Sequence, residues 1–164
     1  MMLDEDSATL TTPIGPLTII GTEKGIRAIR FDDASPRNAR RPTVHLSTRQ
    51  CKAQMEEYFD GKRRTFDDLS FALIGTAFQT RVWEEVMKVP YGEIATYGSI
   101  AHSLRCSQDA RAVGRAVGRN MLAIIIPCHR ILPSGSAGMD RDSGEYAWGR
   151  ERKEWLLGHE SKNR

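Results

Sequence analysis

Residues 97–120 run YGSIAHSLRCSQDARAVGRAVGRN, and what this stretch becomes decides the fold of the C-terminal half. Tyr97 to about Leu104 suits a short helix. A break follows, and Ser107 is placed to cap a second helix with Asp109 in its first turn. Two short helices joined by a tight turn make a helix-turn-helix, although paired helices are also a common packing unit. Arg111, Arg115 and Arg119 recur every four residues, which puts three guanidinium groups along one stripe, with Val113, Ala116 and Val117 towards other sides. Such a stripe can bind phosphates; a solvated helix face would look the same. The second helix also carries Ala110, Ala112, Gly114, Ala116 and Gly118. Glycines cost helix stability, so a helix that keeps them has its backbone close to something, either another helix or a nucleic-acid groove.

Immediately upstream, Thr76-Ala77-Phe78-Gln79 matches a capping box and starts a helix with Phe78, Val82, Trp83, Val86 and Met87 on its apolar side, ended by Pro90-Tyr91-Gly92. Downstream, Ile124-Ile125-Ile126-Pro127-Cys128-His129-Arg130 reads as an apolar strand that stops at a proline and presents a cysteine beside a histidine. A free thiol has a pKa of about 8.5 and is mostly protonated at neutral pH; a nearby base or cation raises the reactive fraction. His129 and Arg130 supply both, so Cys128 is a candidate nucleophile. A buried structural cysteine is the competing interpretation.

The N-terminal part reads as a small β unit and a helix. Pro13-Ile14-Gly15-Pro16 is a turn, Leu17 to Ile20 a strand, Glu23-Lys24-Gly25 a hairpin turn, and Ile26 to Phe31 a second strand. Residues 32–42 suit an exposed loop. Cys51, Met55, Tyr58 and Phe59 then recur at helical spacing, with Gly61 as the stop. Residues 63–75 suit a connection, which places a boundary near 75 between a supporting domain (1–75) and a helical domain (76–164).

Composition excludes several classes. The chain has 164 residues, 40% of them hydrophobic, and a net charge of +3, so it is globular and not announced as a nucleic-acid binder by charge alone. Charge distribution is more informative, because residues 105–130 hold five arginines against the single acid Asp109. No apolar run approaches the roughly 20 residues that span a bilayer, and Met1 to Asp6 is acidic, so no membrane association and a cytoplasmic location are expected. Cys51, Cys106 and Cys128 are odd in number and widely spaced, which argues against disulfides and against a zinc ribbon.

Several of these segments together resemble the O6-alkylguanine-DNA alkyltransferases, also called methylated-DNA-protein-cysteine methyltransferases. The resemblance lies in Phe78-Gln79 with Val82-Trp83, Pro90-Tyr91-Gly92-Glu93, Thr96-Tyr97-Gly98, Ala110-Arg111-Ala112-Val113-Gly114, Gly118-Arg119-Asn120 and Ile126-Pro127-Cys128-His129-Arg130. More loosely it extends to Thr12-Pro13-Ile14-Gly15-Pro16-Leu17 and Tyr58-Phe59-Asp60-Gly61. The resemblance implies an α+β fold, in which a small antiparallel sheet with a helix, an RNase H-like subdomain, packs on a mainly helical domain with a helix-turn-helix. It implies irreversible, single-turnover transfer of the O6-alkyl group of guanine, with O4 of thymine as a second candidate, to Cys128 after minor-groove binding and base flipping. No cofactor and no metal are implied. The implied partner is double-stranded DNA containing O6-alkylguanine, bound by a monomer, with side-by-side binding left open; in a bacterium the location would be nucleoid-associated.

By the same resemblance, His129 is the base acting on Cys128 through a water, Glu160 orients that histidine, and Asn120 supports the site. Tyr146 donates towards O6 as guanine leaves, and Lys153 supports it. Arg111 fills the gap left by the flipped base and Tyr97 presses on the neighbouring phosphate, while Ala110, Ala112 and Gly114 let the helix into the minor groove. Arg115 and Arg119 contact phosphates. Pro127, Ile131, Ala147 and Trp148 line the pocket.

Three features depart from the family pattern. Met121 stands where proline is usual, which should loosen the approach to the cysteine; the stretch from Pro133 to Gly144 is longer than usual and suits a lid or a tolerated insertion; and Trp148 occupies a position often held by glycine, which should narrow the pocket. Two alternatives remain at this point. A non-catalytic alkyltransferase-like lesion-binding protein typically has tryptophan at the cysteine position, which here is Cys128. A cysteine hydrolase unrelated to DNA would not need Arg111, Tyr97 or the small-residue helix.

Overall fold

The computed structural model describes residues 4–33, 45–106, 109–134 and 144–164. The chain divides into two compact units, Met1–Ile74 with Met121–Ala123, and Gly75–Asn120 with Ile124–Arg164.

In the first unit, β1 (Asp6–Thr12), β2 (Gly15–Thr22) and β3 (Gly25–Phe31) form an antiparallel meander in that order, followed by α1 (Leu46–Phe59). Both hairpin turns use one device. The Thr12 hydroxyl donates to the Gly15 carbonyl at 2.6 Å and accepts from the Ile14 amide at 3.2 Å; Thr22 does the same with Gly25 and Lys24 at 3.2 and 3.1 Å. The sequence had suggested the second and third strands but not β1. The buried carboxylate of Asp6 in β1 accepts from the His45 amide at 2.7 Å and the Thr48 hydroxyl at 2.6 Å, so this strand caps the start of α1. Cys51, Met55 and Tyr58 are fully buried, and Cys51 belongs to the core. Gly61, at φ 76°, closes α1 in a Schellman motif: its amide reaches Tyr58 O at 3.0 Å, and that of Lys62 reaches Glu57 O at 2.9 Å.

The open edge of β3 is covered by two short parallel bridges. Ile26 exchanges backbone hydrogen bonds with Ser70 and Ala72, and Ile29 with Met121 and Ala123, at 2.8 to 3.0 Å. The Met121 carbonyl accepts from the Ile29 amide at 2.8 Å.

The second unit holds α2 (Ala77–Met87), β4 (Ala95–Thr96), α3 (Tyr97–Ser103), α4 (Ala110–Gly118), a 3₁₀ turn (Cys128–Arg130), β5 (Ile131–Leu132) and α5 (Arg150–Lys162), with β4 parallel to β5. The capping box of α2 is formed in both directions, at 3.1 Å from Gln79 N to Thr76 Oγ1 and 3.0 Å in return. Val82, Trp83 and Val86 are buried, whereas Met87 is exposed because the last turn of the helix rotates it off the apolar face. A second capping box, Thr96 with Ser99, opens α3.

α3 ends in a Schellman motif with Arg105 in the left-handed position, φ 60°, and the Cys106 amide on Ala101 O at 2.9 Å. The cap of α4 is Asp109, whose carboxylate accepts from Ala112 N at 3.3 Å; this corrects the expectation that Ser107 caps this helix. Ser107 itself lies outside the described residues, as does most of the 133–144 stretch. The Trp83 indole donates to Ala116 O at 2.8 Å and fixes α4 on α2.

Ile124–Ile126 is not a strand. The three residues are buried in a turn that Ile124 enters at φ 74°. A short apolar run looks the same in sequence whether it is extended or coiled inside a core.

Candidate functional site

Pro127 leads directly into the 3₁₀ turn that carries Cys128, His129 and Arg130. The Cys128 amide donates to Ile126 O at 2.7 Å, and Asn120 Nδ2 donates to the same carbonyl at 2.9 Å, so one acceptor holds both. Cys128 is 4% exposed, and its thiol donates to Val117 O at 3.4 Å. Burial pushes its pKa up to about 12, with Asn120 and the Lys153 ammonium opposing the rise. At neutral pH this residue is therefore a neutral thiol and needs a base to become a nucleophile.

His129 is fully buried, and its Nε2 lies 2.7 Å from Glu160 Oε2. A carboxylate only accepts, so Nε2 is assigned the hydrogen of this bond and Nδ1 keeps a lone pair. Nδ1 has no hydrogen-bond partner among the described residues. Burial lowers the pKa of the ring, against the pull of Glu160 towards the charged form. The result is a neutral imidazole with its basic nitrogen uncommitted.

Glu160, 1% exposed, is the most heavily bonded group in the site. Arg130 grips it with two bonds, Nε to Oε1 at 2.7 Å and a terminal nitrogen to Oε2 at 3.0 Å; the Gly92 amide adds a bond to Oε1 at 3.2 Å. Burial alone would raise its pKa. His129 and Arg130 outweigh that and hold the carboxyl well below the usual carboxylate range. The other terminal nitrogen of Arg130 is spent on Val89 O at 2.8 Å.

The Tyr146 hydroxyl is buried without a hydrogen-bond partner among the described residues. Burial, followed by the negative charge that Cys128 and Glu160 bear when ionised, pushes its pKa well up. Its ring meets the indole of Trp148 edge-on, with centroids 5.2 Å apart. Lys153 is fully buried, but its ammonium bonds Ile131 O at 2.6 Å and Glu145 O at 3.1 Å rather than the Tyr146 hydroxyl, and sits 5.9 Å from the centre of the Tyr97 ring. Tyr97 is half-buried, and burial raises its pKa.

Of the residues assigned to the pocket, Pro127 and Ile131 are buried, Trp148 is half-buried and Ala147 is exposed. On α4, Arg111 and Arg115 are exposed and Ala110, Ala112 and Gly114 half-buried, with Arg119 exposed just beyond the helix. Gly114 lies against Tyr97, where an added Cβ would make ordinary contact at 3.9 Å. A cleft of about 690 Å³ touches Gly92, Glu160 and Arg164 but neither Cys128 nor Tyr146, so it is not where a substrate meets the thiol. Among the described residues, no group of three or more His, Cys, Asp or Glu converges to hold a metal, and no helix is long and apolar enough to cross a membrane.

Sequence reasoning missed Arg130 as the clamp on Glu160 and the Pro90-Tyr91-Gly92 turn as the source of a backbone donor to it. The signals were present, since Arg130 directly follows His129 and Gly92 had been assigned a turn.

A family model described as 6-O-methylguanine DNA methyltransferase, DNA binding domain, matches residues 77–162, and one described as the ribonuclease-like domain of the same methyltransferase matches residues 7–73. The chain belongs to the 6-O-methylguanine DNA methyltransferase family. A relative in Methanosarcina barkeri named methylated-DNA–protein-cysteine methyltransferase is 40% identical over 158 residues, covering 94% of this chain and 96% of that protein. One of the same name in Shigella flexneri is 34% identical over 163 residues, covering 92% of each. The crystal structure of Mycobacterium tuberculosis OGT in complex with DNA superimposes with a TM-score of 0.81 at 35% identity, covering 94% of this chain and 92% of that one. The exposed arginines of α4 and the Cys128-His129-Glu160 group all fall within the segment matched by the DNA-binding domain of this methyltransferase family.

Proposed function

We propose that this protein repairs alkylated duplex DNA by moving the O6-alkyl group of guanine onto Cys128, once per molecule. The observation that carries this is a neutral buried thiol next in the chain to a histidine whose Nδ1 is uncommitted and whose Nε2 is fixed by a clamped carboxylate. Sulfur attacks the alkyl carbon. The S–C bond forms as the C–O6 bond breaks, and the electron pair stays on the base. The thiol proton passes through a bridging water to His129 Nδ1, Tyr146 gives its proton to the departing guanine, and the proton held by His129 then restores the phenol, so the thiol's proton ends on the base and none is consumed. A thioether is a poor leaving group, so the transfer ends there without a cofactor.

A cysteine only 4% exposed cannot reach a base inside the stack, which supports flipping of the nucleotide. In this proposal Arg111 fills the vacated space, Tyr97 bears on the adjacent phosphate, Arg115 and Arg119 hold the backbone, and the small residues of α4 allow entry to the minor groove. O4-alkylthymine is a second substrate of the same chemistry.

Incubation with a duplex carrying one O6-methylguanine, followed by intact mass and peptide mapping, tests the reading. One added methyl on Cys128, absent with unmodified duplex, is expected. Tight lesion binding without a mass change would instead indicate a damage sensor.

Trp148 gives a finer prediction. Its indole packs on the phenol that must approach O6, so O6-benzylguanine should react at least about tenfold more slowly than O6-methylguanine, the discrimination that filling a hydrophobic pocket yields. Trp148→Gly should close that gap, and equal rates for the two adducts in the unaltered protein would refute the role of the indole.

A further inference from the structure

Ile124 has φ 74° and is 2% exposed. A β-branched residue in the left-handed region is an outlier, because its Cβ crowds the following carbonyl. Among the described residues the other non-glycine at positive φ, Arg105, sits in the terminal position of a Schellman motif, where the conformation is usual. Ile124 has no helix end to explain it. Such strain persists only where the surroundings over-determine the backbone.

The reversal lies inside a closed loop. Asn120 Nδ2 reaches forward to the Ile126 carbonyl at 2.9 Å, and the same carbonyl accepts from the Cys128 amide at 2.7 Å. The chain must turn back on itself within the five residues between Asn120 and Ile126, and the left-handed backbone falls on Ile124, whose side chain is buried.

We propose that Ile124 is a positioning residue for Cys128: its left-handed backbone sets the Ile126 carbonyl to which both Asn120 and the Cys128 amide are tied, and so aims the thiol. The inference rests on the alkyl-transfer reading above and adds to it a residue that touches neither substrate nor base.

The test compares Ile124→Gly with Ile124→Ala. Both lose the buried side chain, and only alanine retains the left-handed penalty. At saturating lesion duplex, methyl transfer should be roughly tenfold slower in I124A than in I124G, the size of that penalty expressed as a population. Kd for the lesion duplex should be the same in both. The Cys128 amide should exchange with solvent faster in I124A than in I124G. Equal transfer rates, or a slower I124G, would overturn the proposal, since a purely space-filling role predicts no advantage for glycine. If both truncations fail to fold, Ile124→Asn and Ile124→Thr repeat the comparison with more side chain kept; asparagine tolerates the left-handed region and threonine does not, so a faster I124N supports the proposal and a faster I124T overturns it. Absence of transfer by the unaltered protein, with the lesion duplex bound, would refute the alkyl-transfer reading itself and the proposal with it.

Discussion

Cys128→Ser is expected to abolish alkyl uptake, a loss of at least about 10⁴-fold, while leaving binding to a lesion-bearing duplex unchanged. The size follows from removing the only atom that makes the new bond. Knocking out a nucleophile that works as one unit with its base typically removes most of the rate. A hydroxyl in the same place is held even more firmly in its protonated form by the burial that already pushes the thiol up to about 12. Serine keeps a donor for Val117 O, so the thiol's own hydrogen bond at 3.4 Å has a replacement and the fold should survive. Intact mass after exposure to an O6-methylguanine duplex, with binding measured in parallel, separates the outcomes. A methyl found on Cys51 or Cys106, or retained uptake by C128S, would show that the acceptor has been misassigned. Cys51 is a poor acceptor, because it is fully buried in the other unit and burial pushes its pKa up to about 12 with nothing to oppose it.

The parts of the fold legible in the sequence are those governed by local chemistry. Thr76 with Gln79, Gly61 as a helix stop and the Glu23-Lys24-Gly25 turn each encode their conformation within about four residues. β1 escaped because Asp6–Thr12 carries few apolar residues; its place is earned by pairing with β2 and by Asp6 capping a helix some 40 positions away. Lys153 and Glu160 are reached through the family resemblance and not through the periodicity of their helix. Lys153, Leu156 and Glu160 are spaced three and four apart and form the buried face of α5, but two of the three are charged, so the stripe does not read as apolar. Only the partners show why charge is tolerated there, and those partners, Ile131 O for the lysine and Arg130 with His129 for the glutamate, lie 22 to 31 positions upstream. The strained turn at Ile124 was hidden by the same ambiguity that made three isoleucines look like a strand.

Glu160→Gln should be the most destabilising single change in the site, costing roughly 3–5 kcal/mol at neutral pH, because it removes one charge from a buried pair and leaves the Arg130 guanidinium without its counter-ion. An amide offers one acceptor oxygen where the carboxylate offers two, so one arm of the Arg130 clamp fails in either orientation, together with the His129 bond in one and the Gly92 amide bond in the other. Replacing both members with apolar residues, Arg130→Leu with Glu160→Leu, should cost less than the sum of the single changes, since neither charge is then left unpaired. The pH dependence follows from the same carboxyl. Its folded pKa lies well below the ordinary value, so as acid is added the unfolded chain takes up the proton first. The stability Glu160 contributes is complete above the unfolded value of about 4.3 and is lost progressively as pH falls below it towards the folded value. Thermal melts between pH 2 and 7 should therefore show E160Q well below the unaltered protein at pH 7 and the two curves converging towards pH 2. Superimposable melts at pH 7 would mean that the clamp contributes nothing net. Transfer should fall with stability but not in proportion to it: where E160Q is still folded, His129 has lost the carboxylate that fixes its tautomer, and a loss of about 10²-fold or more is the scale expected for disabling a general base.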